Sequence, residues 1–267
     1  VMSVSTFDMF KIGIGPSSSH TVGPMRAAAM FAREVLDDPG IGARVADVAV
    51  HLYGSLAATA AGHGTLGAVM MGLEGEDPET GDPVAGLARV ARIEEQGGLR
   101  LDGRPPTDLR PPSIALHPLT FLPQHSNGMT FVALDADGEE LRRRAMFSVG
   151  GGFVVDADDM DRSIAEVAAE GEGRAIFTTG DELLRVCEDR GISVSEAMLL
   201  RERQWRSDEE IREGLLTIWR AMHDCIERGT HTSGVLPGGL EVKRRASSWY
   251  DSLSAEDPVR LPMNAFE

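Results

Sequence analysis

Two strand-like runs, Met129 to Leu134 and Glu140 to Val149, flank the tetrapeptide Asp135-Ala136-Asp137-Gly138, and no other stretch limits the fold as strongly. An Asp-Gly dipeptide supplies the positive φ that tight turns demand, so the two runs are expected to pair as an antiparallel hairpin. A lone hairpin is marginal in water and needs further strands or a helix against it. Upstream, Ala46 to Tyr53 alternates, with Val48, Val50 and Leu52 facing one way and Ala49, His51 and Tyr53 the other, which reads as a strand. Helical patterns flank it. Val22 to Asp38 has Pro24 in its first turn and Asp37-Asp38-Pro39-Gly40 at its end. Ser55 to Gly72 is rich in alanine and leucine, but Gly62 and Gly64 around His63 weaken its middle or break it. An acidic loop from Glu74 to Pro83, an amphipathic helix from Val84 to Glu95 and a Pro-rich connector from Arg104 to Pro112 follow. Helices alternating with strands and closing on a hairpin give an α/β layer structure over residues 1–156.

Residues 157–177 are rich in acidic side chains and nearly aperiodic, as a linker would be. Beyond Thr178 the pattern is helical throughout. Asp181 to Arg190 ends at Gly191, Val194 to Trp205 follows, and Ser207-x-x-Glu210 is a capping box opening a helix expected to run to Arg228 and stop at Gly229. A further helix starts near Arg244. The 26 basic against 42 acidic residues give a net charge of −16, which opposes binding to nucleic acid. Two cysteines, Cys187 and Cys225, cannot form the disulfide framework of a secreted domain. No targeting segment opens the chain, and its apolar stretches are too short to span a bilayer, so a cytoplasmic protein with no membrane partner is expected. Two thiols also fall short of the three or four that usually hold an iron–sulfur cluster.

The densest polar cluster runs from Gly13 to Pro24 and contains Ser17, Ser18, Ser19, His20 and Thr21 at the entry to the first helix. Hydroxyls and backbone N–H groups at a helix start suit a carboxylate or another anion, and the same residues also suit a simple N-cap. P-loop spacing is absent. A Ser–His nucleophile pair is open on residue types, although Gly-x-Ser-x-Gly is missing. Gly62-His63-Gly64-Thr65 offers an imidazole for proton transfer, approachable by backbone on both sides, or a histidine on a helix kink. His125-Ser126-Asn127-Gly128 and Ser148-Val149-Gly150-Gly151-Gly152 read as further polar or glycine-rich candidates, or as turns. His51, His117, His223 and His231 read as ordinary strand, turn, helix and loop residues, and Lys243-Arg244-Arg245 as a solvated face.

The run Phe-Asp-Met-Phe-Lys-Ile-Gly-Ile-Gly-Pro-Ser-Ser-Ser-His-Thr-Val-Gly-Pro-Met, from Phe7 to Met25, resembles the opening of the bacterial iron–sulfur L-serine dehydratases. The likeness recurs in order at Tyr53-Gly-Ser55, Gly62 to Thr65, Asn127-Gly-Met-Thr-Phe131, Ser148 to Phe153 and Leu236-Pro-Gly-Gly-Leu240 with Arg244-Arg-Ala246. The resemblance implies that residues 1–156 are the family's β domain, an α+β sandwich similar to the allosteric substrate-binding domain of some phosphoglycerate dehydrogenases. Residues 178–267 would then begin the all-helical, cluster-binding α domain.

The activity implied is that of an L-serine ammonia-lyase, forming pyruvate and ammonia in amino-acid catabolism and gluconeogenesis. Its cofactor would be a 4Fe-4S cluster whose open iron acts as a Lewis acid on the β-hydroxyl, without pyridoxal phosphate. On this resemblance Ser17, Ser18, Ser19, His20 and Thr21 hold the substrate, and His63 moves the proton with Ser17 and Thr65 as catalytic neighbours. His125 and Asn127 complete a polar wall at the active site or at a regulatory serine site. The full-length form is expected to be a homodimer. Family members run on for nearly as long again, and their cluster cysteines lie in that further stretch. Cys187 and Cys225 match none of those motifs, so no metal ligand is expected here, and the chain is expected to be a fragment without turnover by itself. The competing expectation is a serine-binding regulatory or partner module with no catalysis of its own.

Overall fold

A computed structural model describes residues 5–104, 109–158, 176–236 and 240–256. Its strands are β1 (Asp47–Tyr53), β2 (Ser113–His117), β3 (Gly128–Leu134), β4 (Glu140–Gly150) and β5 (Phe153–Asp156). They form one mixed sheet in the order β2-β1-β3-β4-β5, with β1 parallel to β2 and every other pair antiparallel. The β3–β4 hairpin turns as its sequence demands. Gly138 sits at φ 83°, and the Asp135 carboxylate accepts from the backbone N–H groups of Asp137 and Glu139 at 3.0 Å each.

β2 and β5 have no counterpart in the sequence reading. β2 is a five-residue edge strand, and β5 is a four-residue run behind three glycines. Runs this short carry too few side chains to show a period. They become strands because β1 and β4 present free backbone edges to them.

The first helices are α1 (Thr6–Met9), α2 (Gly23–Asp37) and α3 (Pro39–Gly42), with a π turn over Ser18–Val22 leading into α2. The expected single helix from Ser55 to Gly72 is three pieces, α4 (Gly54–Ala58), α5 (Ala60–His63) and α6 (Thr65–Leu73); α7 (Pro83–Gln96) follows. Gly64, in the left-handed region at φ 63°, makes the break between α5 and α6.

Val48, Val50 and Leu52 of β1 point to the helices and are buried, as the alternation requires. Ala27, Ala28, Phe31, Ala32 and Val35 cover them from α2, at the three- and four-residue spacing of one helix face. Phe31 stacks on Phe131 of β3 with ring centroids 5.4 Å apart, a contact that adds about 0.5–1.5 kcal/mol beyond burial alone.

The later described residues form α8 (Gly180–Arg190), α9 (Val194–Glu202), α10 (Asp208–His231) and α11 (Ala246–Glu256), apart from one isolated bridge between Val235 and Lys243. α8, α9 and α10 each open with a capping box, Thr179 with Glu182, Ser193 with Glu196 and Ser207 with Glu210. α10 does not stop at Gly229 but continues to His231. A glycine ends a helix by turning left-handed, as Gly191 does at φ 61°, and Gly229 is absent from the positive-φ positions. α9 ends at Glu202, three residues before the expected Trp205. Most of the expected linker, residues 159–175, lies outside the described residues.

The chain start is tied to these helices. The buried Glu202 carboxylate accepts from the Ser5 hydroxyl at 2.8 Å and the Thr6 N–H at 2.6 Å, and Arg206 lies over the Phe7 ring at 4.6 Å. Among the described residues no helix is long and apolar enough to cross a membrane.

Candidate active site

β1 delivers the chain to Gly54 and α4, beside the π turn at the start of α2. Two histidines meet there. The His20 and His63 rings lie 4.8 Å apart, tilted by 40°. His20 is held at both nitrogens, with the Ser19 hydroxyl 2.8 Å from Nδ1 and the Ser55 hydroxyl 2.9 Å from Nε2. His63 Nδ1 lies 3.0 Å from the Thr59 hydroxyl.

Two threonines brace the backbone of the pair reciprocally. The Thr21 hydroxyl donates to the His63 carbonyl at 2.8 Å, and the fully buried Thr65 hydroxyl donates to the His20 carbonyl at 2.7 Å. Ser17 caps the π turn, its hydroxyl accepting from the His20 N–H at 3.1 Å. Ser18 is exposed. Thus Ser17, Ser19, His20, Thr21, His63 and Thr65 form one network. Within it the hydroxyls of Thr21 and Thr65 each donate to a histidine carbonyl.

His125 and Asn127 lie on the adjoining loop, whose Ser126 carbonyl accepts from the Ser55 N–H at 3.2 Å. The Asn127 N–H donates to His125 Nδ1 at 3.0 Å, while the buried Asn127 side chain donates to the Ser148 carbonyl at 3.1 Å. The Ser148 hydroxyl is fully buried without a partner and faces Gly23 at the start of α2. His51 and His117 stand apart on the other face of the sheet, with Nδ1 of His51 3.0 Å from Nε2 of His117 and Tyr53 stacked on His117 at 5.0 Å.

Burial first, and the neighbouring His63 second, hold His20 below the usual histidine range. Burial, His117 and Arg143 act in the same direction on His51. An unfolded chain takes up these protons nearer pH 6.5, before the folded chain does, so it binds more protons as the pH falls. The contribution to stability is therefore complete above about pH 6.5 and is lost as acidification proceeds toward the folded values. Thermal unfolding followed from pH 7.5 to 5 is expected to show a falling midpoint, and His20→Gln is expected to flatten part of that fall. An unchanged slope in the variant removes His20 from the account.

A cleft of about 490 Å³ borders the network, walled by Ile14, Met71, Leu87, Val90 and Leu240, with Thr21, His63 and Arg244 among its polar lining. The glycines around His63 have separate causes. A Cβ on Gly62 would come within 2.7 Å of Leu240, so the later segment packs directly against that backbone. Gly64 has open space but needs its left-handed conformation.

Sequence reasoning missed three members of this region. Arg244 read as part of a solvated face yet lines the cleft, half-buried, with no ion pair among the described residues. Ser55 and Thr59 looked like ordinary helix residues. Ser55 ended the Tyr53-Gly-Ser55 block of the resemblance, and Thr59 and Ser55 stand one and two turns before His63.

For a metal the fit is poor. Among the described residues no group of three or more His, Cys, Asp or Glu side chains could hold one, and Cys187 and Cys225 sit on α8 and α10, free of disulfides.

The histidine pair braced by hydroxyls and the largely apolar cleft beside it thus stand together at the start of α2, against the mixed sheet. Residues 5–159 match the serine dehydratase beta chain family, and the chain belongs to that family. It is 48% identical over 266 residues to an L-serine dehydratase of Streptomyces coelicolor, covering 98% of this chain and 58% of that protein. An L-serine dehydratase of Mycobacterium tuberculosis is 44% identical, over 98% of this chain and 56% of its own length. One of Helicobacter pylori is 32% identical, over 97% and 57% respectively. The chain therefore spans a little over half the length of these curated relatives.

Proposed function

We propose that this chain supplies the substrate-binding and proton-transfer part of an L-serine dehydratase, which deaminates L-serine to pyruvate and ammonia. The observation that carries this reading is that His63 and Arg244, from distant parts of the sequence, line one cleft sized for a small molecule. The guanidinium of Arg244 takes the substrate carboxylate through charge-assisted hydrogen bonds. The hydroxyls of Ser17, Ser18 and Ser19 accept from its ammonium. Apolar walls keep bulk water away and strengthen these contacts.

His63 removes the Cα proton. The Cα–H electron pair becomes the Cα–Cβ double bond, and the Cβ–O pair leaves with the oxygen as hydroxide, which takes the proton back from His63 and departs as water. The resulting enamine tautomerises to an imine, which adds water and releases ammonia, so the sum is serine in and pyruvate plus ammonia out. Thr21 and Thr65 do not react; they hold the two histidine carbonyls in place. His125 and Asn127 shape the loop against Ser55.

The reading includes a cytoplasmic homodimer, with residues 1–156 as a β domain of the allosteric substrate-binding type and residues 178–267 beginning a helical domain. A 4Fe-4S cluster belongs to the reading too. The described residues do not fit one, since they offer no ligand set, and no step above runs through it.

The test is pyruvate formation from L-serine by the protein as the cell makes it, purified without oxygen. Arg244→Ala is expected to raise KM about tenfold or more, with kcat changed less, because a lost hydrogen bond to a charged group is worth about 1.5–3 kcal/mol. Absence of pyruvate overturns the activity, and an unchanged KM overturns the role of Arg244.

A further inference from the structure

The Thr59 hydroxyl has two close neighbours, the Ser55 carbonyl oxygen at 2.9 Å and His63 Nδ1 at 3.0 Å. A hydroxyl has one proton to give. A carbonyl oxygen can only accept, so the Thr59 proton goes to Ser55 and the remaining lone pairs of Thr59 face His63. Were the proton directed at Nδ1 instead, two oxygen lone-pair shells would meet at 2.9 Å with nothing between them. The contact at 3.0 Å is therefore a bond in which His63 Nδ1–H donates to Thr59. In a neutral imidazole a proton on Nδ1 leaves Nε2 as the bare base. No described residue forms a hydrogen bond with Nε2.

We infer that Thr59 is a positioning residue that fixes His63 as its Nδ1–H tautomer and so presents an unprotonated Nε2. The surroundings are built for it. Thr59 lies at the joint between α4 and α5, its own N–H also bonds the Ser55 carbonyl at 3.2 Å, and its carbonyl accepts the His63 N–H at 3.2 Å. The ring is thus referred to the same turn by backbone and by side chain. Ser55 closes the circuit, since its hydroxyl meets His20 Nε2 while its carbonyl orients Thr59.

The consequence for turnover rests on His63 acting as the base, as proposed above, but the tautomer does not depend on that reading. The decisive measurement is a long-range proton–nitrogen correlation spectrum of the 267-residue chain, with histidine labelled at both ring nitrogens, at a pH where His63 is neutral. The proton is expected on Nδ1. Thr59→Val keeps the shape of an exposed side chain and removes the acceptor, and it is expected to move the proton to Nε2. Thr59→Ser restores the acceptor and is expected to restore Nδ1–H. A proton on Nε2 in the parent chain, or no change in Thr59→Val, overturns the inference.

In the enzyme as the cell makes it, Thr59→Val is expected to lower kcat about tenfold or more with little change in KM, and Thr59→Ser to recover it. If the proton moves as expected while kcat stays normal, Thr59 keeps its role and the assignment of His63 as base fails. If kcat falls while the proton stays on Nδ1, the inference fails.

Discussion

On the proposed reading, replacing His63 with alanine is expected to lower kcat for L-serine deamination by about two to four orders of magnitude, the range a positioned general base is worth, and to change KM by only a few-fold. The choice of His63 over His20 follows from their surroundings. Both nitrogens of His20 are engaged, by Ser19 and Ser55, and burial, with His63 beside it, lowers the ring's pKa. His63 has one nitrogen engaged, by Thr59, and lies on the cleft wall. A base needs an open nitrogen, and of these two histidines His63 is the one that has it among the described residues. The loss is expected to fall on kcat because the carboxylate and ammonium contacts sit on other residues. Steady-state kinetics on protein of unchanged melting temperature checks it, and turnover within threefold of the parent removes His63 from the chemistry.

Gly72→Ala, the smallest enlargement possible, is expected to destabilise the fold by about 3 kcal/mol or more. A Cβ there would lie 2.0 Å from the Met25 carbonyl oxygen and 2.9 Å from the Ala28 Cβ, both on α2. A backbone oxygen inside a helix cannot swing away as a side-chain tip can, so α2 and α6 must separate. For a domain of this size such a loss lowers the melting temperature by about 6–12 °C. The damage also reaches the site, because α2 follows His20 and Thr21 while α6 begins at Thr65. Spreading the helices loosens both the Thr21–His63 and the Thr65–His20 bonds. Calorimetry decides it, and a midpoint shift below about 2 °C shows that the helices have room to relax.

The legible parts of the fold were those encoded over a few neighbouring residues. The Asp-Gly turn, the alternation of β1, the proline at the start of α2 and the Ser207 capping box each rest on local geometry that no distant contact has to supply. Gly229 shows the limit of such signals. A glycine permits a left-handed cap without compelling one, and α10 carries its hydrogen bonds on to His231.

Within the site, the sequence placed Ser17 to Thr21 and His63 to Thr65 among the candidate residues because unusual residue types are clustered there. It did not separate the groups facing the cleft from those bracing others. Thr21 and Thr65 look alike on paper, and each proves to hold the carbonyl of the opposite histidine. Arg244 was hidden for the opposite reason, since a basic triplet in a loop is ordinarily solvated.

The sequence by itself determined which segments are helix and strand wherever periodicity, capping or turn chemistry is local, and it narrowed the reactive residues to two short motifs. Tertiary structure alone decided that these motifs meet, that His20 is engaged on both sides while His63 is engaged on one, and that Arg244 joins them. The meeting of the motifs and the Ser55 bond to His20 depend on contacts between residues 35 to 45 positions apart, and the cleft on an arginine far along the chain. Packing of α2 and α6 on the sheet brings such groups within hydrogen-bonding range, and no local pattern encodes that distance.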